Sequence, residues 1–190
     1  MEYSEPIAIR IHGRGGQGSV TSAELMAQAA ISEDKYAQAF PSFGPERRGA
    51  PVQAFIRIDN LKPIRVRAGV TKPDIVVVLD PSLLNIVDIT SGLKEGGMMV
   101  VNTKGSFEDI EEKFGAKYKL AIIDATSIAR EFLGRTIVNT AMIGALVKAS
   151  GIVKLESIFQ PLEKRFGKLA EKNKNAMKKA YKETRVKGEG

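Results

Sequence analysis

Glycine occupies positions 13, 15, 16 and 18, with Arg14 and Gln17 between and Ser19 directly after. Before this cluster, Ile7, Ile9 and Ile11 alternate with Ala8, Arg10 and His12, the period of a half-buried strand. After it, Leu25, Met26, Ala29 and Ala30 keep helical spacing, and Ser19 or Thr21 suits the N-cap. Strand, glycine turn and helix together can cradle an anion. Glycine lets the main chain come close, and the helix N-terminus directs free N–H groups at negative charge. Gly13, Gly15 and Gly18 satisfy the G-x-G-x-x-G spacing of a dinucleotide site. That site also needs an acidic residue at the end of the second strand for the ribose hydroxyls. Here the second strand, residues 35–40, ends Gln38-Ala39-Phe40, and Asp34 precedes it. No Gly-Lys-Ser/Thr follows the glycines, which excludes a P-loop. The residues favour a ligand or partner loop other than one for NAD. The alternative is a tight turn that only lets strand and helix pack.

Further candidates lie along the chain. Residues 41–51 hold Pro41, Pro45, Pro51, Gly44 and Gly49, so a long irregular loop is expected there. Arg47 and Arg48 in this loop suit carboxylate or phosphate, or ion pairs within the protein. Asp80, Asn102 and Asp124 each end an expected strand, at the sheet edge where ligands gather in open α/β folds. Capping is the expected role of Asp80 and Asp124. Asn139 can cap a helix or face a ligand. His12 is the only histidine and reads as structural, with general-base chemistry as the alternative.

These residues need a scaffold. A chain of 190 residues suits one domain, taken as residues 1–190. Residues 52–59 and 64–68 read as a hairpin turned by Asn60-Leu61-Lys62-Pro63. Residues 75–79 form a continuous apolar run that stops at Asp80, as in a strand buried on both faces. A helix carrying Leu83, Leu84, Ile86 and Val87 follows, then a strand at 98–102, a short helix from Ser106 to Phe114, a strand at 119–123 and a further helix. A helix with Met142, Ile143, Leu146 and Val147 ends at Gly151, and Gly144 is expected to permit close packing. Two amphipathic helices, 155–166 and 169–181, belong to a basic C-terminal region spanning about 154–187. The expected fold is α/β: a three-layer, Rossmann-like mixed sheet, mainly parallel, with an antiparallel hairpin and helices on both faces.

Composition removes several function classes. The chain has no cysteine, so it can supply no disulfide, no thiolate zinc site and no cysteine-ligated iron–sulfur cluster. With one histidine, a histidine metal cluster is excluded as well. The cysteine usage fits a reducing cytoplasm. The N-terminal residues lack the basic and apolar regions of a signal peptide, and no apolar run is long enough to span a bilayer. The net charge of +7 is concentrated between Lys164 and Lys187. Without interleaved aromatic residues or a recognisable motif, this reads as a solvated helix face rather than a nucleic-acid surface.

The chain resembles the γ subunits of 2-oxoacid:ferredoxin oxidoreductases, with the pyruvate-specific enzyme (pyruvate synthase) the closest fit. The resemblance lies in Gly13-Arg14-Gly15-Gly16-Gln17-Gly18, Gln38-Ala39-Phe40-Pro41, Phe43-Gly44-Pro45-Glu46-Arg47-Arg48-Gly49-Ala50-Pro51 and Ile64-Arg65-Val66-Arg67. It continues through residues 73–80, Val101-Asn102-Thr103 and residues 139–146. It implies a subunit without a catalytic residue or metal of its own, inactive alone. Partner α, β and δ subunits would hold thiamine diphosphate, magnesium and iron–sulfur clusters, pass electrons to ferredoxin and release acyl-CoA. The implied tasks of this chain are assembly and coenzyme A binding through Arg14, Gly15, Gly16, Gln17, Gly18, Arg47, Arg48 and Asn139. A purely structural subunit and a stand-alone nucleotide-binding protein are the alternatives. The isolated chain is expected to expose a surface through which it could self-associate.

Overall fold

A computed structural model describes residues 6–42 and 49–189. Strand β1 (Ile7–Arg14) leads through the glycine loop into helix α1 (Ser19–Ser32), followed by β2 (Tyr36–Pro41), β3 (Pro51–Asp59) and β4 (Ile75–Val78). A 3₁₀ turn (Pro81–Asn85) precedes β5 (Met98–Asn102), α2 (Phe107–Phe114), β6 (Lys119–Ile123), α3 (Ala125–Leu133) and α4 (Asn139–Ser150). The chain ends in α5 (Phe159–Phe166), α6 (Ala170–Glu183) and β7 (Arg185–Val186).

The strands form one sheet in the order β2-β3-β1-β4-β5-β6-β7. β1, β4, β5 and β6 pair in parallel, while β3 and β7 run the other way. The parallel centre follows from sequence: Val76, Val77 and Val78 are buried on both faces. Alternation sorts the side chains. Ile9, Ile11, Ile56 and Val77 pack under α1, α3, α4, α5 and α6. Val76, Val78, Met99, Val101 and Ile122 pack with Leu83, Ile89, Leu93 and Ile110 on the other face. Helices thus cover both faces, unevenly.

Four local expectations are corrected. Residues 64–68 form no strand, and β3 instead pairs with β2 and with β1, both antiparallel. The segment after Asp80 is a short 3₁₀ turn, Pro81–Asn85, rather than an α-helix carrying Leu83, Leu84, Ile86 and Val87. Helix α1 is preceded by Gly18 at φ 83° with no side-chain cap, so neither Ser19 nor Thr21 fills that role. Helix α4 is preceded by Val138, which puts Asn139 inside the helix rather than at its cap. The short strand β7 adds to the β6 edge and has too few residues to show a period. Other caps follow the sequence: Ser106 and Asp109 make a capping box, and Asp124 accepts from the Ser127 N–H at 2.9 Å.

Candidate functional site

The glycine loop leaves the C-terminal end of β1 between the start of β3 and the C-terminal end of β4. Its main chain is tied to Gly49 and Ala50, directly before β3. Gly15 N–H donates to the Ala50 carbonyl at 2.9 Å, and Gly49 N–H donates to the Gly15 carbonyl at 3.2 Å. These bonds carry the β1–β3 pairing one step further. The structure therefore joins the two loops that the sequence analysis singled out. Arg47 and Arg48 themselves lie outside the described residues.

Side chains lock the loop from beneath. The Gln17 amide oxygen accepts from Arg14 N–H at 2.8 Å, and its Nε2 donates to Asp80 Oδ2 at 2.7 Å. Arg14 Nε lies 3.3 Å from Asp80 Oδ2, its Nη2 donates to Ser82 Oγ at 2.7 Å, and its Nη1 donates to the Gly49 carbonyl at 2.9 Å. Asp80 Oδ1 accepts from Ser82 N–H at 2.9 Å and from its hydroxyl at 2.6 Å. Arg14 and Gln17 are thus committed within the protein. Asp80 caps the 3₁₀ turn as expected, through the Ser82 N–H, and is also the hub of the network. Burial pushes the Asp80 carboxyl up, but the hydrogen bonds from Ser82 and Gln17 and the Arg14 charge outweigh it, holding it below the usual range.

What the loop offers is main chain and space. Gly16 is exposed at φ 93°, and a Cβ built there would meet nothing within 4 Å. Gly18 is constrained twice: by its φ of 83°, and because a Cβ would lie 2.7 Å from Asn139 Nδ2. Asn139 is buried against the loop, and its carbonyl accepts from Ser22 Oγ at 3.5 Å. The first N–H groups of α1 emerge beneath Gly18, the usual unpaired donors of a helix start. Ser19 Oγ is buried under Gly13 with no hydrogen-bond partner among the described residues, and nothing in the sequence signals it.

Two other candidates are structural here. Asn102 Nδ2 donates to the Leu79 carbonyl at 2.8 Å and to Thr126 Oγ1 at 2.9 Å, pinning β5 to β4 and α3. His12 Nε2 accepts from Arg10 Nε at 2.9 Å, so its lone pair is already used. Arg10 Nη2 donates to the carbonyls of Ile89 and Ser91 at 3.0 and 2.7 Å. Burial and the adjacent Arg10 charge, partly opposed by Asp88, lower His12 to about 4. It is a neutral acceptor rather than a base. Among the described residues, no group of three or more His, Cys, Asp or Glu could hold a metal ion, and no helix is long and apolar enough to cross a membrane.

A sequence profile for pyruvate ferredoxin/flavodoxin oxidoreductase matches residues 8–183. The chain belongs to the pyruvate ferredoxin/flavodoxin oxidoreductase family. Within it, this is a γ-type subunit chain. The common γ subunit of the pyruvate/ketoisovalerate oxidoreductases of Pyrococcus furiosus is 57% identical over 182 residues, 95% of this chain and 98% of that one. The crystal structure of the pyruvate oxidoreductase subunit PORC of Thermotoga maritima superposes with a TM-score of 0.87 at 41% identity, covering 97% and 99% of the two chains. The same fold recurs as 31% of a longer chain, the 2-oxoglutarate:ferredoxin oxidoreductase of Magnetococcus marinus, solved with 2-oxoglutarate, coenzyme A and succinyl-CoA. There the TM-score is 0.75 at 19% identity over 94% of this chain, a likeness of fold alone.

Proposed function

We propose that the chain works as the γ subunit of a multi-subunit pyruvate:ferredoxin oxidoreductase in the cytoplasm, and that its glycine loop binds part of coenzyme A. The observation that carries the coenzyme A reading is the open, positive-φ Gly16 on a loop fixed from below by Asp80. A fixed loop presents main-chain donors without an ordering cost at binding. The N–H groups around Gly16 and Gly18 and the start of α1 suit a pyrophosphate or a pantetheine amide. In this reading Arg14 and Gln17 orient the loop, Asn139 supports Gly18, and Gly15 anchors it to Ala50. Arg47 and Arg48 are assigned phosphate contacts on the chemistry of guanidinium alone. In this reading thiamine diphosphate and magnesium sit in the α, β and δ partners, and so do the iron–sulfur clusters, for which this chain has no cysteine ligand.

The test is Gly16→Val in the assembled complex. The side chain would be strained at φ 93° and would fill the open space. The KM for coenzyme A should rise, while coenzyme A-independent reduction of the clusters by pyruvate continues. A purely structural loop gives another pattern: complex yield and both activities fall together, with the KM for coenzyme A unchanged in what survives.

A further inference from the structure

Residues 60–73 hold Lys62, Arg65, Arg67 and Lys72 and no acidic residue. Ile64, Val66 and Ala68 alternate with the arginines as in a strand, yet the segment lies in no strand. Among the described residues, no main-chain N–H from 64 to 72 donates to another main-chain group. Side-chain hydrogen bonds hold the segment in place instead. At its start, the N–H groups of Leu61 and Lys62 donate to Asp59 Oδ1 at 2.8 and 2.9 Å. Further on, Arg57 Nη2 donates to the carbonyls of Ala68 and Gly69 at 2.7 and 3.3 Å, and Nη1 donates to that of Val66 at 3.4 Å. The Arg57 guanidinium lies 5.5 Å over the Phe40 ring. Beside the segment is a cavity of about 510 Å³, lined by the apolar Ala8, Ile64 and Val66 and by the charged Arg57, Asp59 and Arg65 among others. Leu61 and Val66 are 72% and 57% exposed.

We infer that residues 61–68 are an interaction strand, which pairs through its main chain with an acidic, extended segment of a partner subunit. The inference rests on the γ-subunit reading. Three observations select this occupant. Unpaired amides in a segment held by Arg57 but outside any strand fit addition of a strand. Arg65, Arg67 and Lys72 make no salt bridge among the described residues, while Lys62 faces Asp59, and these cations call for acidic side chains opposite. A second copy of this chain, itself at +7, would repel it. The exposed Leu61 and Val66 interleave with the cations, and residues 60–73 contain no aromatic residue for base stacking, which favours protein over nucleic acid.

The experiment compares the lone chain with the complex formed by co-expression with the α, β and δ subunits. Amide hydrogen exchange across 61–68 should slow on assembly. The variants Arg65→Glu/Arg67→Glu and Val66→Pro should leave the melting temperature of the lone chain unchanged. They should weaken its association with the partners by about tenfold or more, with a steeper loss in salt for the wild type than for the charge-reversed form. A complex that forms with no protection at 61–68, and equally well from both variants, overturns the inference and leaves the γ reading standing. Failure of the wild-type chain to join the three subunits overturns the γ reading and the inference with it. Protection conferred by a short duplex DNA and not by the subunits also overturns it.

Discussion

His12 shows how a chemically capable residue is spent on structure. Its Nε2 accepts from the buried Arg10, so protonation would set two cations side by side away from water. Its value of about 4 lies below the ordinary 6.5, so between these values the unfolded chain binds the proton and the folded chain does not. Stability therefore falls as pH drops from about 6.5 to about 4, by at most about 3 kcal/mol. Asp80 acts in the same direction at lower pH, since a depressed carboxyl loses its contribution as it protonates. His12→Gln keeps an acceptor and removes the titration; its denaturation midpoint should vary less across that interval than the wild type's. Asp80→Ala should cost about 1–3 kcal/mol and speed amide exchange at Gly16 to Gly18, because Gln17 and Arg14 lose their common acceptor. Unchanged exchange in that variant would mean the loop holds itself. Sequence pointed to the glycines, Arg14 and Gln17, since their types and spacing are local. It could not show that Asp80 unites them, because a contact between positions 14 and 80 depends on β1 and β4 being neighbours.

Elements were legible where the period is long and continuous. β1, β4, β5, β6 and the helices around residues 107–114 and 139–150 follow from apolar spacing and caps. The 64–68 segment misled because alternation reports a pleated, half-buried surface, not whether a partner strand is present. The β2–β3 pairing was hidden by the separation in sequence of its strands, which end at Pro41 and begin at Pro51. Gly144 was read as a packing glycine, and the structure gives the reason: a Cβ would lie 2.2 Å from the Met177 carbonyl oxygen of α6. Main chain cannot yield as a side-chain tip can. Gly144→Ala should therefore destabilise by about 1–3 kcal/mol through forced separation of α4 and α6. In a chain of this size that corresponds to roughly 3–10 °C in thermal melts. A variant melting like the wild type would show that α6 can shift freely.

At the scale of the whole molecule, the basic C-terminal helix is tied to the body. Lys179 pairs with Glu131 at 2.7 Å, Lys174 pairs with Glu163, and Lys178 lies 5.0 Å over the Phe159 ring. Its charge is partly spent inside the fold, in keeping with a solvated helix face. The division of labour proposed for the complex has a direct consequence. The purified chain, supplied with thiamine diphosphate, magnesium, pyruvate, coenzyme A and a low-potential acceptor, should show no turnover, and activity should appear only on addition of the partner subunits. Turnover by the lone, contaminant-free polypeptide would refute that division.

Strand β1 sits inside the sheet, with β3 on one side and β4 on the other. On a ribosome adding about 5–20 residues per second, β1 emerges seconds before either neighbour exists. During that interval both of its hydrogen-bonding edges and its Ile7, Ile9 and Ile11 side chains are open to any other unpaired strand. Its pairings span long stretches of chain, an order of contacts that slows folding. Production of this subunit should therefore be limited by the fate of its nascent N-terminal third more than by the stability of the finished fold. Slower synthesis at lower temperature, or a chaperone that holds β1, should raise the soluble yield without altering the melting temperature of the product.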